Sequence, residues 1–249
     1  MSRQKLIHIF GKALLVVFLI GCSAPSSSVS EGLDQPTIAA ELAPTPSPAP
    51  TAISSLFPIF QNDRAGFIDV SGALVIQSQF DDAKSFSEGL APVLVKEQWG
   101  YISPQGAIVV QPTYAVANNF YSGRARVKVG EKFGFIDQGG KLVIAADFDD
   151  AYDFSEGLAK VIKCTEQKTC TWINLNFEWG SISYPTGGEQ SYIDPDGNTV
   201  ISAAFDLTSS FHGGLAAVKS GDRWGYIDTN GALVIQPQFE AAYDFSEGM

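Results

Sequence analysis

The sequence predicts an all-β protein in which five repeats of 34 residues, each a β-hairpin plus a third strand, stack as a short solenoid. Three observations predict it. The stretches GFIDVSGALVIQSQF from Gly66, GYISPQGAIVVQPTY from Gly100, GFIDQGGKLVIAADF from Gly134, SYIDPDGNTVISAAF from Ser191 and GYIDTNGALVIQPQF from Gly225 align without a gap. Their starts lie 34, 34, 57 and 34 residues apart, so the odd interval is one period with 23 residues inserted. One such unit holds too few apolar side chains to bury a core alone, so neighbours must stack and share one. A closed propeller-like ring is the alternative, and the period is short for a four-stranded blade.

Each unit reads as three strands in order. In the second, Leu90 to Val95 alternates and ends in the tight turn Lys96-Glu97-Gln98, with Gly130-Glu131-Lys132 and Gly221-Asp222-Arg223 at the same place elsewhere. Trp99 to Ile102 forms the second strand, its aromatic and branched residues suited to a pleated surface. Asp or Ser, two variable residues and Gly follow: Asp69 to Gly72, Ser103 to Gly106, Asp137 to Gly140, Asp194 to Gly197, Asp228 to Gly231. Pro104 and Pro195 suit a type I turn, and the glycine tolerates the positive φ that closes it. The run LVI or its equivalent is the third strand. Three columns are expected to interlock between units: Trp99, Phe133 and Trp224; Ile68, Ile102, Ile136, Ile193 and Ile227; Phe86, Phe120, Phe154, Phe211 and Phe245.

The units are placed at 56–89, 90–123, 124–157, 158–214 and 215–248. Leu56 to Gly248 is 193 residues, five periods plus the insertion, so the sequence is expected to end on a unit boundary. Before the units, Arg3, Lys5 and Lys12 precede an apolar run from Ala13 to Ile20, the order of a secretory signal and too short to span a bilayer. Leu19-Ile20-Gly21-Cys22 resembles the bacterial lipoprotein signal. That resemblance implies a signal peptide over 1–21 and a lipid on Cys22, and Ser23 after it is compatible with outer-membrane sorting. Residues 22–55, rich in Ser, Pro, Thr and Ala, are expected to be a disordered tether, with an end-to-end distance of about 30 Å as a flexible coil. The localisation expected is exported and lipid-anchored at the outer membrane or cell surface.

The formal net charge is −11, and removal of the signal takes away three basic residues and no acidic one, leaving −14. Phosphate binding needs a basic surface, so nucleic acid is excluded as a partner. With Cys22 assigned to lipid, Cys164 and Cys170 remain, and in an exported protein such a pair reads as a disulfide. Catalytic chemistry finds little material. His212, the one histidine outside the signal, occupies the column of Ser87, Tyr121, Ser155 and Ser246 and reads as a loop substitution. The carboxylate pairs Asp81-Asp82 and Asp149-Asp150 and the turn aspartates recur with the repeat, whereas a reaction centre is singular. Asp194-Pro195-Asp196-Gly197-Asn198 lacks the spaced ligands and closing glutamate of a calcium loop. No catalytic residue, cofactor or metal site is assigned, and the protein is expected not to be an enzyme.

The insertion falls between Val161 and Gln190, lengthening the first hairpin of the fourth unit. It carries both cysteines with Trp172, Phe177, Trp179 and Tyr184, a candidate binding surface because Trp and Tyr dominate contact hot spots. The bland reading is that these aromatics cover the edge of a neighbouring repeat.

The recurring WGYID, turn glycine, VIxPxF and F-S-E-G pattern resembles the bacterial WG repeat family over Leu56 to Gly248. Its Trp-Gly pair is kept at Trp99-Gly100 and Trp224-Gly225, replaced by Ala65-Gly66 and Phe133-Gly134, and lost at Gln190-Ser191. The resemblance implies an exported all-β interaction module and transfers no catalytic residue. The expected function is binding of a protein or envelope component by a membrane-tethered, non-catalytic repeat module. A lipoprotein that binds cell-wall or extracellular glycan is the alternative.

Overall fold

Two residues with positive φ close a hairpin with the twist that its strands require, and this device opens the first two repeats. Asn62 and Asp63 (φ 53° and 59°) and Lys96 and Glu97 (φ 49° and 67°) form two such turns. The computed structural model describes residues 55–244 except 167, 178, 179 and 203, with the backbone alone across 172–186. The segment 1–21 expected to be a signal peptide, Cys22, residues 22–54, Trp179 and Phe245 lie outside the described residues.

The first sheet holds β1 (Phe57–Gln61), β2 (Arg64–Ile68) and β3 (Leu74–Phe80). The second holds β4 (Asp82–Ala83), β5 (Ala91–Val95), β6 (Gln98–Ile102) and β7 (Ile108–Tyr114), and the third β8 (Val116–Tyr121), β9 (Arg124–Val129), β10 (Lys132–Ile136) and β11 (Leu142–Phe148). In the fourth, β12 (Asp150–Ala151) and β13 (Ala159–Lys163) are followed by the insertion hairpin β14 (Cys170–Phe177) and β15 (Gly180–Gly187), then β16 (Glu189–Ile193) and β17 (Thr199–Ile201) complete the sheet. The fifth holds β18 (Leu207–Thr208), β19 (Leu215–Ser220), β20 (Arg223–Asp228) and β21 (Leu233–Phe239). All pairings are antiparallel, and no helix occurs among the described residues.

The protein is thus all-β, with five small sheets matching five repeats. Three strands per repeat are as the sequence predicts. A fourth is added in sheets two to five: the tail of each repeat crosses to the next and pairs with its first strand, as Asp82 and Ala83 do with Leu94 and Val93. The repeats are stitched by this exchange as well as by packing.

The core lies between repeats. Phe67, Ile76 and Phe80 of the first pack with Ala91, Val93 and Ile102 of the second, and Tyr101, Val110 and Phe120 with Ala125, Val127 and Ile136 of the third. Two further clusters join repeats three to four and four to five. Strand alternation explains it: on β6, Ile102 faces the preceding repeat and Tyr101 the following one. Ile102, Ile136, Ile193 and Ile227 are buried as expected, whereas Ile68 is half-buried. Phe120, Phe154 and Phe211 are also buried. Each meets an aromatic of the second strand of its own repeat, with ring centroids 5.0 Å apart for Tyr101 and Phe120, 5.1 Å for Phe135 and Phe154, and 4.8 Å for Tyr192 and Phe211. One column differs from expectation. Trp99, Phe133 and Trp224 are only half-buried, and Trp99 and Phe133 lie against the margins of their clusters. Cations reach those two rings: Lys84 Nζ lies 5.0 Å from Trp99, and the Arg126 guanidinium 5.3 Å from Phe133.

Candidate interaction surfaces

The glycine of each Trp-Gly pair is dictated by a close approach. A bulge in the third strand arches over it, so a Cβ on Gly66, Gly100, Gly134 or Gly225 would sit 2.7, 2.5, 2.7 or 2.4 Å from third-strand backbone. Side chains do not tolerate such distances. The turn glycines serve a second contact: Gly106, Gly140, Gly197 and Gly231 lie against Ile76, Val110, Ile144 and Ile201 of the preceding repeat.

The recurrent acids are structural. Asp69 Oδ1 accepts from the amides of Ser71 (2.8 Å) and Ala73 (3.1 Å), and Asp137, Asp194 and Asp228 repeat this two residues and four residues on. These bonds hold the Asp69, Asp194 and Asp228 carboxyls below the usual carboxylate range; the Ser71 hydroxyl leads at Asp69, the Asn198 side chain at Asp194 and the Ala232 amide at Asp228. Asp81 and Asp149 accept from Lys96 N (2.6 Å) and Cys164 N (2.9 Å), capping the hairpin of the next repeat. Asp82 and Asp150 each accept from the amide that follows them.

A polar chain crosses the interfaces. Lys84 Nζ donates to Ala117 O and Asn118 Oδ1, both at 2.8 Å, and Asn118 Nδ2 donates to Asp153, which Arg126 approaches at 3.3 Å. Desolvation pushes the Lys84 ammonium down and the Asp150 carboxyl up.

The F-S-E-G turn is a clasp between repeats. Ser87 Oγ donates to Phe120 O (2.5 Å) and Glu88 accepts from Gly123 N (2.8 Å); Ser155 and Glu156 do the same with Phe211 O (2.6 Å) and Gly214 N (2.9 Å). In the second and fourth repeats Tyr121 and His212 replace the clasping serine. Their side chains line a cleft of about 480 Å³ with Tyr152, Asp153, Ser155 and Ser210. His212 is an exposed turn residue whose backbone bridges Leu215. Tyr121, Tyr152 and Asp153 were not singled out as site residues by the sequence, because the cleft draws on three successive repeats and no single column spans it.

A second surface recurs in every repeat. The first residues of the third strand stay exposed: Leu74, Val75, Ile108, Val109, Leu142, Val200, Leu233 and Val234 are between 38% and 56% accessible. Each of those strands is an edge of its sheet.

Cys164 and Cys170 form a disulfide with Cα atoms 5.3 Å apart. It closes the base of the insertion hairpin, in which Cys170 pairs with Gly187 and Phe177 with Gly180. Trp172 and Phe177 fall on β14 and Tyr184 on β15; their side chains, like Trp179 as a whole, lie outside the described residues. No group of His, Cys, Asp and Glu able to hold a metal ion occurs among the described residues.

These features, a bulged strand arching over the glycine of the Trp-Gly column and a clasp that recurs along the stack, define a stacked all-β repeat protein. The model of the WG containing repeat matches it five times, over residues 66–98, 99–133, 133–163, 191–224 and 224–249. The chain belongs to the WG containing repeat family. A search of curated proteins returned no match.

Proposed function

We propose that the repeat stack is a non-catalytic interaction module, held at the cell envelope by a lipid on Cys22, that binds a protein partner through the exposed third-strand edges. The observation that carries this reading is the row of aliphatic side chains on those edges. A stack whose interfaces are already satisfied has no internal use for solvent-facing Val75, Val109 and Val234, and apolar patches at unpaired strand edges suit another protein chain. Glycans stack on aromatic faces, which this row lacks.

The experiment compares the intact chain with a Val75→Ser, Val109→Ser, Val234→Ser variant after cross-linking in envelope preparations. The same protein cross-linked by wild type and lost from the folded variant supports the reading; an unchanged cross-link removes the edges from it. Cys22→Ser tests the anchor: the protein then leaves the membrane fraction, and retention there counts against lipidation.

The alternative, a glycan-binding lipoprotein, draws support from the cleft lined by Tyr121, Tyr152, Asp153 and His212, which offers rings and hydrogen-bonding groups together. Retention on insoluble cell-wall glycan that Tyr121→Ser abolishes would favour it.

A further inference from the structure

We propose that a crevice between the third and fourth repeats is a receptor for an aliphatic ammonium group, of the kind a lysine side chain carries. The crevice, about 250 Å³, is lined by Phe148, Val161, Ile193, Lys163, Glu189 and Ser191, with Gly197 and Thr199 at its side.

The crevice falls where the repeat loses its glycine. Where the other repeats have Gly66, Gly100, Gly134 and Gly225 under the third-strand arch, the fourth has Ser191, and there is no room for a Cβ beneath an arch at 2.4 to 2.7 Å. The third strand accordingly ends at Ile201 after three residues, against seven in β3, β7, β11 and β21. The pairing that joins Trp99 to Tyr114 and Phe133 to Phe148 has no counterpart at Gln190. The crevice lies on the face where Val161, Ser191 and Ile193 point toward the preceding repeat. The disulfide-closed insertion leaves the same sheet at Lys163 and returns at Glu189, so both departures from the repeat meet at this crevice.

The lining sets the ligand. Val161 and Ile193 are each 2% exposed and with the Phe148 ring form an apolar floor. Glu189 and Lys163 are cross-strand partners, but no ion pair joins their side chains. Lys163 Nζ is taken by Asp147 and lies 5.1 Å from the Phe148 ring. The half-buried Glu189 carboxylate has no hydrogen bond or ion pair among the described residues. Asp147, Lys163 and Glu189 together leave one negative charge, and the Ser191 and Thr199 hydroxyls add acceptors. An apolar body ending in an ammonium satisfies all of these; a carboxylate or a neutral group leaves Glu189 unmatched. The crevice takes the free group by itself, and only the identity of a partner presenting it rests on the interaction role proposed above.

The test is a titration of the whole chain with Nα-acetyl-lysine methylamide, n-butylamine and Nα-acetyl-norleucine methylamide, following the amide resonances of Glu189, Ser191 and Thr199. The expected result is saturable shifts with an ammonium compound at millimolar concentrations, and binding at least tenfold weaker for the norleucine derivative and for Glu189→Gln. Response to either ammonium compound supports the site and tells a side chain from a free amine. Ser191→Gly should abolish the shifts without lowering the thermal midpoint, since it restores the room for the arch. No saturable shift with either compound, equal binding of the norleucine derivative, or undiminished binding by Ser191→Gly would each overturn the proposal. A lost edge cross-link in the Val→Ser variant would leave these outcomes untouched, so the two readings fail separately.

Discussion

Lys160 occupies the column of Pro58, Pro92, Arg126 and Ala217 and is 8% exposed. Its Nζ donates to Thr208 O at 3.0 Å and lies 3.7 Å from the centre of the Tyr152 ring, with the charges of Asp150 and Asp244 acting on it. Desolvation outweighs those acids and lowers its pKa to about 8. The folded state therefore holds this proton less tightly than the unfolded chain, whose lysine titrates near 10.5. Protonated Lys160 opposes folding fully below about pH 8, and the penalty is relieved as pH rises from there toward the unfolded value. Denaturant titrations at pH 7 and pH 9.5 should show Lys160→Met gaining stability relative to wild type at the lower pH and losing most of that gain at the higher. An identical difference at both values would mean that Lys160 keeps an ordinary pKa. Gly134 makes the opposite kind of residue-scale case. Its ideal Cβ meets Ala146 N and Ile144 O at 2.7 Å, backbone atoms that cannot rotate away. Gly134→Ala should cost about 1 to 3 kcal/mol as an overpacked site, read as a lower urea midpoint with an unchanged slope.

At the scale of elements, the fourth repeat separates scaffold from appendage. Ala159–Lys163 pairs with Glu189–Ile193 in the register by which β5 pairs with β6, although 25 residues intervene where other repeats use two. The hairpin β14–β15 hydrogen-bonds within itself as a separate two-stranded sheet. Replacing residues 164–188 by Asn-Gly should keep the thermal midpoint within a few degrees, because that dipeptide supplies the two positive φ angles a two-residue hairpin needs. A collapse of the midpoint would show that the appendage buttresses the stack. The long strands and the place of this insertion were legible in the sequence because alternation, turn glycines and a 34-residue frame each mark them independently. The two-residue strand Asp82–Ala83 was not, since two residues carry no periodicity. Trp99 and Phe133 misled for a different reason: an aromatic that recurs in three of five repeats suggests a core, yet their strand positions leave the rings half out, with cations at their faces. The crevice at Ser191 was hidden because its lining is assembled from several strands, which a column of letters does not bring together.

For the whole molecule, the decisive arrangement is that each described hydrophobic cluster draws on two successive repeats. A lone repeat would expose both halves of its interfaces and have its hairpins without the neighbour's crossing strand, so its small buried area could not offset the ordering of 34 residues. A fragment of residues 124–157 should therefore be unfolded by circular dichroism, while the chain melts with a sharp transition. Within the chain, Phe135→Ala removes a ring that is fully buried at the interface of repeats three and four and should cost about 3 to 5 kcal/mol. Nearest-neighbour coupling predicts where that loss is felt. Hydrogen exchange should accelerate most for amides of β10, β11, β13 and β16, which flank the broken interface, and less for β1 and β2, which reach it only through two intact ones. Uniform acceleration across all five sheets would instead mark a single cooperative unit too strongly coupled for its interfaces to act separately, and folding of the excised repeat would refute the shared core itself.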